Sequence, residues 1–295
     1  MSATLLVTGA AGHLGQRVIA HLLDTRKVPA RNIIAATRNP DKLAALASRG
    51  VGVRRADFDD TGSLATAFAG AQRLLLISTD ALDQPGRRLA QHRNAIDAAT
   101  KAGVAHAVYT SMPRPETSAV LFAPDHLGTE RALAASPMSW TILRDHWYME
   151  NLFFTLPHLL AGGTWYTAAG DGRLAWIARE DCALAAATAL AGNDTGKRTY
   201  TLSGAEAFTT EETARMVSET AGRPIEVVQV PLDGLIQGMV AGGMPQGMAE
   251  VFASFDTNTK AGGFADVTGD FELLTGRKPI KYRDWLAANK AAIAG

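Results

Sequence analysis

The first feature with chemical meaning is a glycine-rich turn near the N-terminus. Gly9, Gly12 and Gly15 are spaced at intervals of three, directly after an apolar segment that is typical of a strand. The first glycine permits a tight turn, the second lets a diphosphate approach the backbone, and the third lets a helix pack closely on the strand. The N–H groups that open this helix, around His13 and Leu14, favour an anion. We therefore expect these five residues to bind a dinucleotide.

The next strand candidate ends in an arginine. Arg38 follows Thr37, Lys42 lies just beyond, and no acid precedes Asp41. Proteins that bind NAD place an acid here for the ribose 2′-hydroxyl, whereas a cation accommodates the 2′-phosphate of NADP. A guanidinium suits a phosphate because its N–H groups form a planar fork. The sequence therefore predicts NADPH as the cofactor, and the alternative is an arginine that is merely solvated.

Polar and aromatic residues also follow the later strands. Asp57 and Phe58 end the third, where a carboxylate can accept from the adenine amino group and a ring can pack on adenine; a plain core role for Phe58 is equally open. Ser78 and Thr79 end the fourth, and Ser111 ends the fifth. The carboxyl ends of parallel strands meet at the edge where open α/β sheets bind ligands. We expect these five residues to complete the cofactor site.

The chain lacks the usual acid of a carbonyl reductase, a Tyr with a Lys four residues later. Its tyrosines are Tyr109, Tyr148, Tyr166, Tyr200 and Tyr282, and their fourth neighbours are Pro113, Leu152, Gly170, Gly204 and Leu286. When a simple ketone accepts hydride it becomes an alkoxide that needs a proton. A quinone gives a product whose charge is delocalised, and a cationic dye gives one whose charge is cancelled. We therefore expect direct hydride transfer to a conjugated acceptor, which requires mainly close approach and orientation.

Two further groups of residues carry alternatives. Trp147 and Tyr148, with Phe122 and Phe153, form an aromatic set that suits a flat acceptor or simply packs in the core. His126 lies four residues before Glu130 on a helix predicted over 125–135. His126 would serve as a proton donor or shuttle near neutral pH, or form a structural pair with Glu130. The other histidines are scattered, so we expect no metal site.

Composition narrows the class of protein. The chain has 295 residues, of which 47% are apolar and 20% charged, with 29 basic and 29 acidic side chains. A net charge of zero argues against a dedicated nucleic-acid binder. The single cysteine, Cys182, excludes an intramolecular disulfide. No apolar run approaches ~18 residues and no signal peptide is evident, so we expect a cytoplasmic protein with no membrane partner.

The elements that must position these residues alternate between strands and amphipathic helices. Strands are predicted over 4–8, 32–37, 51–56, 73–78, 107–110, 140–144, 198–202 and 225–230. This order is typical of an α/β, doubly wound parallel sheet of the Rossmann type with a smaller α+β lobe. We expect an NADP-binding core over 1–146 plus 177–202. The substrate-side lobe would comprise 147–176 plus 203–295.

These motifs together resemble the NmrA-like branch of atypical short-chain dehydrogenase/reductases, and within it the bacterial type-2 NAD(P)H:quinone oxidoreductases and the triphenylmethane reductases. The more specific matches are His126 through Glu130, Thr141 through Arg144 followed by 147–151, 169–172 and 260–263. The resemblance implies bound NADPH and an acceptor near Trp147, Tyr148 and Asn151. One departure is Asp145-His146 after Arg144, where the family commonly has Pro or Asn and then Gly.

Three functions follow as hypotheses. The first is an NADPH-dependent oxidoreductase that reduces a quinone or similar small aromatic acceptor without flavin, with His126, Tyr148 and Asn151 as candidate catalytic residues. The second is an NADP(H)-binding redox sensor that regulates a partner without turnover. The third is an isomerase, or a reductase of conjugated double bonds, with His126 as its acid. Apolar helix faces in the C-terminal part would suit a homodimer.

Overall fold

A parallel sheet of seven strands forms the centre of the computed structural model, which describes residues 3–82 and 84–294. The strand order is β3-β2-β1-β4-β5-β6-β8. The strands are β1 (Leu5–Val7), β2 (Ile33–Thr37), β3 (Gly52–Arg55), β4 (Arg73–Leu76), β5 (His106–Ser111), β6 (Ser139–Asp145) and β8 (Lys197–Leu202). The order reverses between β1 and β4, and such a switch point opens a ligand crevice at the carboxyl ends of the strands.

Helices cover both faces of this sheet, because successive strand residues point to opposite sides. Leu5 and Val7 of β1 face a core formed with α1 and α7, whereas Leu6 between them faces a second core formed with α3, α4 and α5. The helices are α1 (His13–Ala20), α2 (Ala44–Ser48), α3 (Thr61–Phe68), α4 (Arg87–Lys101), α5 (Ala123–Ala135), α6 (Leu152–Gly162), α7 (Arg179–Ala191), α8 (Thr210–Ala221), α9 (Leu232–Ala241), α10 (Gln246–Lys260), α11 (Asp270–Thr275), α12 (Tyr282–Ala288) and α13 (Lys290–Ala294).

A second, two-stranded parallel sheet lies outside the central one. It pairs β7 (Thr164–Thr167) with β9 (Glu226–Gln229), with Thr164 opposite Glu226. A third apolar core joins these strands to α6, α8 and α12 around large side chains such as Trp176, Phe264 and Trp285. Helix α10 is tied to the segment before α5, since Asn258 Oδ1 accepts a hydrogen bond from the Ala119 N–H at 3.0 Å.

The predicted doubly wound sheet is confirmed, and each strand of it lies within two residues of its predicted bounds. A capping box opens α8: the Thr209 hydroxyl accepts from the Glu212 N–H, and the Glu212 carboxylate accepts from the Thr209 N–H. The sequence prediction missed α6 and β7. Pro157 within α6 and the Gly162-Gly163 pair after it are typical of a loop, and packing against the third core overrides them. No helix in the described part of the chain is long and apolar enough to cross a membrane.

Candidate functional site

A cleft of about 790 Å³ opens at the carboxyl ends of β1 to β4. It lies at the switch point of the sheet, where doubly wound proteins bind ligands. Seven of the predicted cofactor-binding residues line it: Gly9, Gly12, Arg38, Asp57, Phe58, Ser78 and Thr79. The structure therefore brings together residues from four separate strand ends into one groove.

The glycine turn has the close contacts that its sequence predicts. Gly9 adopts a φ of +61°, which only glycine tolerates easily. The Gly12 N–H donates to the Gly9 carbonyl at 2.9 Å, which closes the turn. A Cβ on Gly15 would lie 2.4 Å from the Gly9 oxygen, so a side chain there would push α1 off the strand. Leu14 is buried in the core and His13 is exposed, and neither of them lines the cleft.

Arg38 stands at the outer end of the cleft with its side chain 73% exposed. One guanidinium nitrogen lies 3.9 Å from Asp80 Oδ1, and the Asp80 side chain is 91% exposed. An ion pair this exposed contributes little, so the guanidinium is available to an anion. Lys42 lines the same end of the cleft. Sequence reasoning missed Asp80, because it considered only acids adjacent to Arg38 in the chain.

Asp57 and Phe58 form the far wall. Asp57 Oδ1 accepts from the Asp59 N–H at 3.1 Å, and its own N–H donates to Ser63 Oγ at 2.9 Å. Phe58 is only 8% exposed and belongs to the second core, yet it also lines the cleft. A core role and a place beside the adenine are therefore compatible for Phe58, since the residue belongs to the second core and also borders the groove.

Ser78 and Thr79 are held by groups that the sequence analysis did not single out. The Ser78 N–H donates to Thr110 Oγ1 at 2.9 Å, and the Thr79 N–H donates to His92 Nε2 at 3.0 Å. Because a backbone N–H can only donate, His92 Nε2 carries no proton and Nδ1–H donates to Thr129 Oγ1 at 2.9 Å. Burial lowers the pKa of His92 to about 3. A neutral, buried histidine thus fixes this edge of the cleft.

Ser111 does not reach the cleft. Its hydroxyl donates to Glu130 Oε1 at 2.6 Å, and the same carboxylate receives Arg144 through Nε at 3.0 Å and a terminal nitrogen at 2.6 Å. The structural pair between His126 and Glu130 is therefore not formed. Both residues lie on one face of α5, but the permanently charged guanidinium of β6 takes the carboxylate instead.

His126 is buried, at 3% exposure, and shares a hydrogen bond of 2.8 Å with the Tyr109 hydroxyl. Burial, reinforced by the charge of Arg88, moves the pKa of His126 well below its usual range. Burial likewise raises the pKa of Tyr109. The imidazole is thus neutral at pH 7, which speaks against the hypothesis that it exchanges protons near neutral pH.

Tyr148 is engaged within the protein as well. Its hydroxyl donates to Asp145 Oδ2 at 2.9 Å, and Arg179 lies over its ring at 5.2 Å. Burial raises the pKa of Asp145 to about 7 and that of Tyr148 well above its usual value. The neighbouring His146 has its pKa lowered to about 4, also by burial. Neither residue of the Asp145-His146 pair that departs from the family pattern is exposed.

A second cavity, of about 180 Å³, lies between β7, α6, α8 and α10, and Trp147 and Asn151 line it. We call it the lobe cavity. The ring centre of Phe255 lies 4.0 Å from that of Trp147 and 5.6 Å from that of Phe122. The ring centres of Phe122 and His126 are 5.8 Å apart. We call Phe122, Phe255 and Trp147 the aromatic row. It runs from the buried His126 to the lobe cavity.

The predicted acceptor residues are only partly brought together. Phe153, expected in the aromatic set, packs on Trp285 at 5.5 Å instead. The three candidate catalytic residues do not meet in one cavity: Asn151 borders the lobe cavity, whereas the Tyr148 hydroxyl and His126 are engaged by Asp145 and Tyr109. Among residues 3–82 and 84–294, no group of three potential metal ligands comes together.

The sheet, the glycine turn and the cleft define a Rossmann-type dinucleotide-binding protein. Residues 1–285 match the NmrA-like family, and the chain belongs to that family. The resemblance drawn from the sequence motifs is thereby confirmed.

Known relatives extend along nearly the whole chain. Quinone oxidoreductase 2 of Escherichia coli (strain K12) is 37% identical over 272 residues, covering 92% of this chain and 93% of the relative. The crystal structure of the NADPH-dependent quinone oxidoreductase from E. coli complexed with NADPH matches with a TM-score of 0.90 at 35% identity, covering 96% of this chain and 99% of that one. Citrobacter sp. triphenylmethane reductase complexed with NADP(H) matches with a TM-score of 0.88 at 34% identity, over 96% and 99%.

Proposed function

We propose that this chain is an NADPH-dependent oxidoreductase that passes hydride directly to a quinone or a similar conjugated acceptor, without flavin. The observation that carries the proposal is the cleft, which both Arg38 and the glycine turn line. A cation at the end of the second strand, beside a glycine turn at the end of the first, suits a dinucleotide with a phosphate on its adenosine ribose. The relatives described above are named for this cofactor and for this class of acceptor.

Each part of the cleft has a distinct role in the proposal. Gly9 and Gly12 hold the diphosphate through the exposed backbone at the start of α1. Arg38 binds the 2′-phosphate, while Asp57 and Phe58 border the adenine. Ser78 and Thr79 lie beside the nicotinamide half and are held rigid by Thr110 and His92. We also propose that the NADP-binding core comprises 1–146 plus 177–202 and that the remainder forms the acceptor side.

The chemistry of the acceptor follows from the groups around the nicotinamide end. NADPH, when bound there, supplies hydride. His126 is neutral and the Tyr109 and Tyr148 hydroxyls have raised pKa values, so none of them is a good acid at pH 7. An acceptor that delocalises its new charge, or cancels it, needs no such acid. A quinone and a cationic dye both satisfy that condition, whereas a simple ketone does not.

The decisive experiment is an NADPH-oxidation assay with 1,4-naphthoquinone, a cationic triphenylmethane dye, an enone and an aliphatic aldehyde, repeated with NADH. We expect the quinone and the dye to accelerate NADPH oxidation, the aldehyde to have no effect, and NADH to be the poorer donor. NADPH deuterated at the transferred position should slow both reactions, and with the dye the deuterium should appear on the central carbon of the reduced product. Tight NADPH binding without turnover on any acceptor would favour the redox sensor instead.

A further inference from the structure

Arg88 is a buried cation beside the proposed reaction site. It is the second residue of α4 and only 6% exposed. Its guanidinium carbon lies 4.9 Å from the centre of the Phe122 ring, at the start of the aromatic row. Arg87 and Gln91 of the same helix line the coenzyme cleft. Arg88 therefore lies on the helix that borders the cleft, and its guanidinium contacts the first residue of the aromatic row.

No residue within 3–82 or 84–294 forms an ion pair or a hydrogen bond with this guanidinium, and its Nε is fully covered without an acceptor. The other well-covered arginines differ. Arg73 donates to the carbonyl oxygens of Leu190 and Asp194, and Arg144 pairs with Glu130. A buried cation without an acceptor is costly, because neither water nor a carboxylate compensates its charge.

The positive charge of Arg88 interacts with several ionisable side chains around it. It attracts Asp125 and Asp80 from beyond ion-pair distance, and its charge adds to the burial that lowers the pKa of His92 and of His126. It also lies within electrostatic range of the Tyr109 and Tyr148 hydroxyls. Asp80, Tyr109 and Tyr148 lie in or just after β4, β5 and β6, and the other three residues lie on α4 and α5. A positive charge is thus fixed near the carboxyl ends of three strands of the sheet.

We propose that the Arg88 guanidinium binds the acceptor oxygen that becomes anionic during the reaction. This inference rests on the proposed function. In the step, the C–H bond at nicotinamide C4 breaks, its hydrogen and electron pair form an O–H bond at one quinone carbonyl, and the conjugated π electrons shift so that the opposite carbonyl oxygen takes the negative charge. NADP⁺ and a hydroquinone monoanion result, and water later protonates the anion. Arg88 keeps its own proton and donates a hydrogen bond to that oxygen.

The inference predicts selectivity among acceptors. A quinone or an enone develops negative charge on oxygen, so it benefits from a fixed cation. A triphenylmethane dye is itself a cation and becomes neutral on reduction, so the same guanidinium gives it no help. Removing the charge should therefore separate the two substrates.

The first test compares Arg88→Met with Arg93→Met, which removes a charge from the exposed side of α4. In Arg88→Met we expect kcat/KM for 1,4-naphthoquinone to fall about 100-fold, the scale seen when one donor to a developing oxyanion is removed. Reduction of the cationic dye and the Kd for NADPH should stay within about threefold, and Arg93→Met should resemble the wild type. Equal effects on both acceptors, or none on either, with NADPH binding intact, would overturn the inference.

A second test needs no altered protein. With NADP⁺ bound, 2-hydroxy-1,4-naphthoquinone, an anion at neutral pH, should bind the wild type at least about tenfold more tightly than the neutral 2-methoxy compound, as read by tryptophan fluorescence. Equal affinities contradict the role of Arg88 even if Arg88→Met does not fold. If the wild type reduces neither acceptor yet prefers the anion, the proposed function fails and the anion site stands.

Discussion

Arg144 on β6 holds Glu130 on α5 at two points, with 3.0 Å from Nε to Oε1 and 2.6 Å from a terminal nitrogen to Oε2. The two side chains are 18% and 9% exposed. Glu130 also accepts from Ser111 at the end of β5. One carboxylate therefore joins two neighbouring strands to the helix that carries His126, beside the aromatic row.

Glu130→Gln should lower the free energy of unfolding by about 2–3 kcal/mol, because it leaves the largely covered Arg144 charge with only Glu116. Urea unfolding measures the change. Glu180→Gln is the control, since the Glu180 carboxylate meets Arg17 with 42% of its side chain exposed and should contribute less than about 1 kcal/mol. Equal losses of unfolding free energy in both variants would show that the buried pair contributes no more than the exposed one.

Arg38→Gln should weaken NADPH binding about 10- to 100-fold and leave NADH binding nearly unchanged, because charge-assisted hydrogen bonds to a phosphate contribute about 1.5–3 kcal/mol. Fluorescence titration of both coenzymes measures this. Asp80→Asn should tighten NADPH binding a few-fold, since it removes the negative charge 3.9 Å from the Arg38 guanidinium. Arg49→Gln, which removes a surface pair with Asp24, is the control. A similar loss for both coenzymes would place the 2′-phosphate elsewhere.

Gly15→Ala should destabilise the protein by about 1–3 kcal/mol and weaken NADPH binding, because its new methyl group would lie 2.4 Å from the Gly9 oxygen. Thermal melts and coenzyme titration follow the two effects. Gly238→Ala in α9 is the matched control: no atom lies within 4 Å of the added Cβ, so it should stabilise by up to about 1 kcal/mol. A Gly15→Ala protein with normal melting and binding would refute the close packing of α1 on the turn.

Asp145→Asn should change how stability depends on pH. The folded-state pKa of Asp145 is raised to about 7 by burial, whereas the unfolded value is about 3.9. Between these values the folded protein holds a proton that the unfolded chain releases, so the contribution of Asp145 to stability falls as pH rises. The wild type should therefore lose about 1.4 kcal/mol per pH unit relative to the variant between pH 4.5 and 6.5. Urea unfolding across that range checks it, and a constant difference would contradict the raised pKa.

The amino-acid sequence alone determined the sheet, the glycine turn and the cationic end of the cleft. Each is local information: a strand, the residue that ends it and the turn that follows are contiguous. Because parallel strands end at one edge, knowing each end separately was enough to assemble most of the cleft. Gly9, Arg38 and Phe58 therefore line the groove as their positions in the chain predict.

Only the tertiary structure decided which charged groups meet and which stay neutral. Helical spacing allowed Glu130 to face His126, but burial keeps the histidine neutral. Arg144, which lies on β6, pairs with Glu130 instead. Asp80, in the loop after β4, lies 3.9 Å from Arg38. Arg88 Nε is buried without a hydrogen-bond acceptor among the described residues. Charge and desolvation depend on what surrounds a side chain in space, and the order of residues along the chain does not contain that information.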